Sequence, residues 1–121
     1  METIRIHPKS IKIISEYQCY PIWLSDIKEI GEICDTISDN DIKKELSEWL
    51  PNIKTEWLSI STSLIKQINE WDAIYQSLFI DTNYEFNFTF KSKEQELQFY
   101  EEKQEIIGKL KIEMPNTTIY V

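Results

Sequence analysis

Glycine is scarce in this chain of 121 residues: there are two, Gly31 and Gly108. Phosphate cradles of the P-loop or dinucleotide type need glycines at close, fixed spacing so that the backbone can approach the anion. Gly31 and Gly108 are too far apart to make one. Histidine is scarcer still, with His7 alone, and the cysteines are Cys19 and Cys34. These three side chains cannot complete a four-ligand zinc site without carboxylates, so no cofactor or metal is expected. No apolar run approaches the roughly 20 residues of a membrane span. The opening METIRIHPKS lacks the apolar core of a signal peptide. A cytoplasmic protein is therefore expected, with both thiols free, because that compartment reduces disulfides. Positive charge is also in deficit, with 13 Lys and Arg against 21 Asp and Glu, a net charge of −8. Such a surface repels phosphate backbones. That argues against direct nucleic-acid binding and favours a cationic protein partner.

What is present suits one domain. Hydrophobic residues make up 41% and charged residues 28%, a globular balance. A chain of this length buries roughly two thirds of its unfolded surface, enough to fold without a staple. Residues 3–7 read as a short strand ending at Pro8, and 10–15 as a strand in which Ile11 and Ile13 alternate with Lys12. Pro21 cannot donate to a ladder, so an edge, a bulge or a break is expected before Ile22, Trp23 and Leu24. Gly31 lies in a polar stretch that reads as a hairpin or turn. A helix is expected over 40–50, capped by Asp39 or Asn40, with Ile42, Leu46, Trp49 and Leu50 on one face and Pro51 as its stop. The short piece 52–58 carries Trp57 and Leu58. A second helix, capped by Ser61 or Ser63, carries Leu64, Ile68, Trp71, Tyr75 and Leu78 at spacings of four, three, four and three. Tyr84, Phe86, Phe88 and Phe90 alternate with polar residues as a strand would. Ser92 can cap a third helix over 93–113, with Leu97, Tyr100, Ile107, Leu110 and Met114 as its inner face and Pro115 at its end. Residues 117–121 read as a last strand. The expected fold is a single α+β domain over 1–121, with about three helices packed on a small, largely antiparallel sheet.

Candidate chemistry is thin. Cys19 and His7 lie in adjacent expected strands and could pair as a nucleophile, but no catalytic signature surrounds them, and a buried apolar Cys is the favoured reading. Glu94, Glu101 and Glu105 sit at helical spacing among Lys and Gln, the pattern of a solvated face. Residues 25–50 hold eight acids against three bases, a local −5. Within them Asp35, Asp39, Asp41, Glu45 and Glu48 form a candidate partner-binding face, with a plain solubilising surface as the alternative. Trp49 and Trp57 lie beside that run. Core packing is favoured for each, yet Trp is enriched at interface hot spots, and both are carried as candidate partner contacts. Trp23, Trp71 and Tyr75, with the Tyr84 to Phe90 set, are assigned to the core.

Three blocks stand out together. The first is a Tyr-x-Cys-x-Pro-x-Trp strand signature at Tyr17, Cys19, Pro21 and Trp23. The second is a helix carrying Leu64, Trp71, Tyr75 and Leu78. The third opens the last helix with Ser92, Glu94, Phe99 and Glu102. In this order they resemble a family of small bacterial immunity proteins of contact-dependent growth inhibition and similar polymorphic toxin systems. Lys103 stands where the family usually has Gly, Asp81-Thr82 where it has Asp-Pro, and about 30–60 reads as an insertion carrying the acidic stretch. The resemblance implies a non-enzymatic protein that is monomeric when free. Its implied partner is a cognate toxin C-terminal domain, basic in charge and most simply a nuclease. It brings no catalytic residues. Two readings from other classes stand beside it: a small-ligand domain or enzyme using Cys19 and nearby carboxylates, and a homodimeric adaptor.

Overall fold

A computed structural model describes residues 4–81, 86–88 and 90–121. Strand β1 (Ser10–Ile13) points Ile11 and Ile13 into the core. It pairs antiparallel with β2 (Ile22–Leu24), in the register Ile11 to Leu24 and Ile13 to Ile22. Pro21 ends the break before β2 as its chemistry requires: it donates nothing, but its carbonyl accepts the Ile14 N–H at 3.0 Å. On the far side of β2, β3 (Asn52–Ile53) pairs antiparallel. The last strand, β6 (Thr118–Tyr120), pairs parallel with β1, giving the order β3-β2-β1-β6. The sheet is thus mixed and mostly antiparallel. Asn52 is 6% exposed and spends its whole amide on the sheet edge. Its Oδ1 accepts from the Tyr20 N–H at 3.0 Å, and its Nδ2 donates to the carbonyls of Tyr20 and Ile22 at 2.7 and 3.1 Å. Thr3 lies outside the described residues; residues 4–7 form no strand, and Ile6 makes an isolated bridge to Leu58.

Four helices are found among the described residues, one more than expected. The extra one, α1 (Glu29–Asp35), replaces the hairpin read around Gly31. Ile30, Ile33, Cys34 and Ile37 recur at helical spacing and pack on the core. Gly31 has no positive φ, and nothing lies within 4 Å of where its Cβ would be, so it is an ordinary exposed helical position. α2 (Asn40–Trp49) is capped by Asp39, whose side chain accepts from the N–H groups of Asp41 and Ile42 at 2.9 and 3.1 Å. After β3, a 3-10 turn (Thr55–Trp57) leads to α3 (Thr62–Ser77), capped by Ser61. A two-stranded antiparallel ribbon follows, β4 (Phe79–Asp81) with β5 (Phe86–Phe88). Tyr84 lies outside the described residues; the ring of Phe90 is 5.5 Å from that of Phe99. α4 (Lys93–Glu113) is capped by Ser92.

The inner face of α4 is not quite the expected one. Leu97 and Tyr100 are 63% and 49% exposed, while Phe99, Ile106, Ile107 and Leu110 are buried. The true stripe passes through Lys103, a charge that hides it in the sequence. The lysine is half-buried there, and burial pulls its pKa down. Helices and sheet share one core, with Ile11, Ile22 and Ile53 below and Leu64, Ile68, Trp71 and Leu110 above. Trp71 is fully buried, stacked on Phe99 at 4.7 Å, and its indole N–H donates to the Phe99 carbonyl at 3.0 Å. Trp23 is half-buried on the other face of β2, its indole N–H donating to the Ile14 carbonyl at 2.9 Å. The stretch 30–60 is built into the domain, since it supplies β3 and the buried Leu46, Ile53, Trp57 and Leu58.

Candidate partner-binding site

The acids singled out in the sequence fall on α1 and α2. Asp35 ends α1 and is exposed. Asp39 is the cap of α2. Asp41, Glu45 and Glu48 follow at i, i+4 and i+7, so they share one side of the helix, away from the buried Leu46. Glu29 does not belong to this exposed set. It is 5% exposed, and one oxygen accepts the Lys9 N–H at 2.6 Å.

Trp49, 38% exposed, borders the acidic stripe. Its ring is held in place. The Lys54 ammonium lies 4.8 Å from its centroid while pairing with Glu45 at 3.0 Å. The hydrogen bond to Glu45 raises the lysine pKa. Tyr20 meets the same ring edge-on at 5.5 Å. Trp57 is placed differently. Beyond β3 the chain buries Ile53, Thr55 and Trp57 alternately, leaving Trp57 3% exposed in the core. Trp57 therefore offers no surface to a partner.

On the far side of Trp49 lies a feature that the sequence reading missed. An open cleft of about 270 Å³ is lined by Gln18, Cys19, Tyr20, Trp49, Asp72 and Gln76. Gln18 has φ of 58°, the left-handed region that non-glycine residues rarely adopt. Gln76 of α3 braces this turn: its Oε1 accepts the Gln18 N–H at 2.8 Å, and its Nε2 donates to the Glu16 carbonyl at 2.9 Å. Asp72, one helical turn earlier, accepts weakly from the same Nε2 at 3.4 Å. Among the described residues no lysine or arginine pairs with it. Burial pushes its carboxyl up to about 6, with the Gln76 bond opposing. The i, i+4 spacing of Asp72 and Gln76 beside Trp71 was visible in the sequence; the turn they meet was not.

The arrangement does not activate Cys19. Burial, then Glu16 and Asp72, push its thiol up, whereas a nucleophile needs the thiolate. His7 lines two other cavities. Glu94, Glu101 and Glu105 are exposed on α4, and Glu105 pairs with Lys109 at 3.1 Å. Among the described residues no group of three or more His, Cys, Asp or Glu is placed to hold a metal ion, and no helix is long and apolar enough to cross a membrane.

The raised Asp72 pKa has a stability consequence. Between pH of about 4 and 6 the folded chain keeps a proton that the unfolded chain has released, so stability falls as pH rises through that window. The groups facing Asp72, Cys19 and Tyr75, stay neutral there because their own pKa values are raised. Asp72→Asn keeps an acceptor for Gln76 and removes the buried charge. It is expected to stabilise the protein by about 1–2 kcal/mol near pH 7, a figure discounted for partial solvent access, and by nothing below about pH 4. Urea unfolding at the two pH values checks this.

α2 thus carries Asp41, Glu45 and Glu48 beside one ring, Trp49, that Lys54 and Tyr20 hold in place. The profile of the Serratia CdiI immunity protein-like family matches residues 44–121, nearly two thirds of the chain, and the chain belongs to that family. Glu45, Glu48, Trp49 and Asp72 lie inside the match; Tyr17, Cys19, Pro21 and Trp23 lie outside it. No curated protein matches the chain.

Proposed function

We propose that the chain is an immunity protein that captures a cognate secreted toxin domain of a contact-dependent growth inhibition system and neutralises it stoichiometrically in the cytosol. Membership of the Serratia CdiI immunity protein-like family carries this reading. The toxin domain it fits best is a nuclease. A nuclease cleft must be cationic to hold a phosphate backbone, and a protein of net charge −8 is its electrostatic complement. Asp35, Asp39, Asp41, Glu45 and Glu48 supply the field, and Trp49 supplies the apolar anchor.

The test is co-expression with the C-terminal domain of any secreted-toxin gene that adjoins this one. Growth is expected to be rescued, and the two proteins are expected to co-purify as a one-to-one complex. In vitro, nuclease activity should fall to zero at one equivalent. Failure both to rescue and to co-purify would remove the proposal; rescue from a toxin with no nuclease activity would remove the nuclease assignment.

A further inference from the structure

Resting on that reading, we infer that the cleft between Trp49, the Gln18–Tyr20 turn and Asp72 is the socket for one arginine side chain of the toxin domain. Four observations converge on it. At about 270 Å³ the cleft falls below the range typical of small-molecule sites, roughly 300–1,000 Å³, so it suits a side chain better than a metabolite. Asp72 lines it with no lysine or arginine paired to it among the described residues. Its walls include Tyr20 and Trp49, on which a planar guanidinium can stack while its N–H groups fork onto the carboxylate. The socket is also pre-formed. Gln76 braces the left-handed Gln18 turn, Asn52 holds Tyr20, and Lys54 and Tyr20 fix the Trp49 ring. Little ordering remains to oppose binding. Trp49 also joins the socket to the acidic stripe, so one approach of a basic partner engages both.

A half-buried carboxylate without a cation is unfavourable in the free protein. An arriving arginine relieves that penalty, and the same burial that raised the Asp72 pKa makes the ion pair stronger than one at an open surface. Affinity for the toxin domain should therefore fall as pH drops below about 6, where Asp72 takes up its proton. Cys19 and Tyr75 face it as neutral groups.

Calorimetry with the toxin domain that the co-expression test identifies checks this. Asp72→Asn and Trp49→Ala are each expected to weaken binding by about ten- to a hundredfold, while Glu101→Gln on the far helix leaves it unchanged. In a double-mutant cycle, one toxin Arg→Ala substitution should weaken binding to the wild type by tenfold or more and have no further effect on Asp72→Asn. Cys19 should react with a bulky maleimide in the free protein and be protected in the complex. Unfolding curves of Asp72→Asn confirm that it is folded. Binding by Asp72→Asn within twofold of the wild type, or no toxin arginine coupled to Asp72, would overturn the socket while leaving the immunity reading intact. No binding by the wild type would overturn both.

Discussion

Removing the charge of the acidic stripe is expected to slow capture of the toxin domain by about ten- to a hundredfold at low salt, with a much smaller change in dissociation. The variant carries Asp35→Asn, Asp39→Asn, Asp41→Asn, Glu45→Gln and Glu48→Gln. Asparagine is chosen at position 39 because the wild-type side chain caps α2 through the Asp41 and Ile42 N–H groups, and Asn caps as well as Asp. Alanine there would cost about 1 kcal/mol of helix stability and confuse the result. Glu45→Gln also removes the ion partner of Lys54, but that pair is partly exposed and its loss alone is a small effect. The steering charges act over the Debye length, about 10 Å at 0.1 M salt. Stopped-flow association at a series of salt concentrations should therefore give a steep slope for the wild type and a shallow one for the variant. Equal rates and equal slopes would mean that the toxin docks elsewhere.

The largest stability effect is expected from Trp71→Ala, which should destabilise the domain by about 4 kcal/mol. Trp71 is fully buried, its ring lies 4.7 Å from that of Phe99 with a 19° angle between planes, and its N–H holds the Phe99 carbonyl. Phe99 in turn meets Tyr75 at 5.9 Å and Phe90 at 5.5 Å. Removing the indole leaves a cavity between α3 and α4 that these rings cannot collapse to fill. Domains of this size have some 5–15 kcal/mol in total, so the variant should unfold at much lower urea with an unchanged slope. Trp71→Phe keeps the stack and loses the hydrogen bond and some volume, and should cost about half as much. A shift under about 1 kcal/mol for the alanine variant would show that the α3–α4 contact is not the centre of the core.

How much of this was legible depended on how local each signal was. The starts of α2, α3 and α4 were readable because Asp39, Ser61 and Ser92 cap neighbouring N–H groups. The α3 stripe was readable because Leu64, Ile68 and Trp71 carry no charge among them. α4 was misphased because Lys103 occupies its buried side while Leu97 and Tyr100 decorate its outside. α1 was missed because Lys28 gives it no side-chain cap and Gly31 imitates a turn. In the site, the run of acids was plain from composition. The burial of Trp57 was not, since it depends on how β3 delivers the turn that follows. The Asp72 socket was invisible because it is made by Gln18 meeting Gln76, 58 positions away.

The parallel pairing of β6 on β1 sets a condition on when the protein can become active. Thr117 bonds to the Pro8 carbonyl across 109 positions, and Ser10 pairs with Thr118. During synthesis β1 has an open edge on that side until residues 118–120 have left the ribosome, and open edges invite pairing with other chains. The nascent chain thus keeps this edge unpaired until β6 emerges, and its sheet closes late.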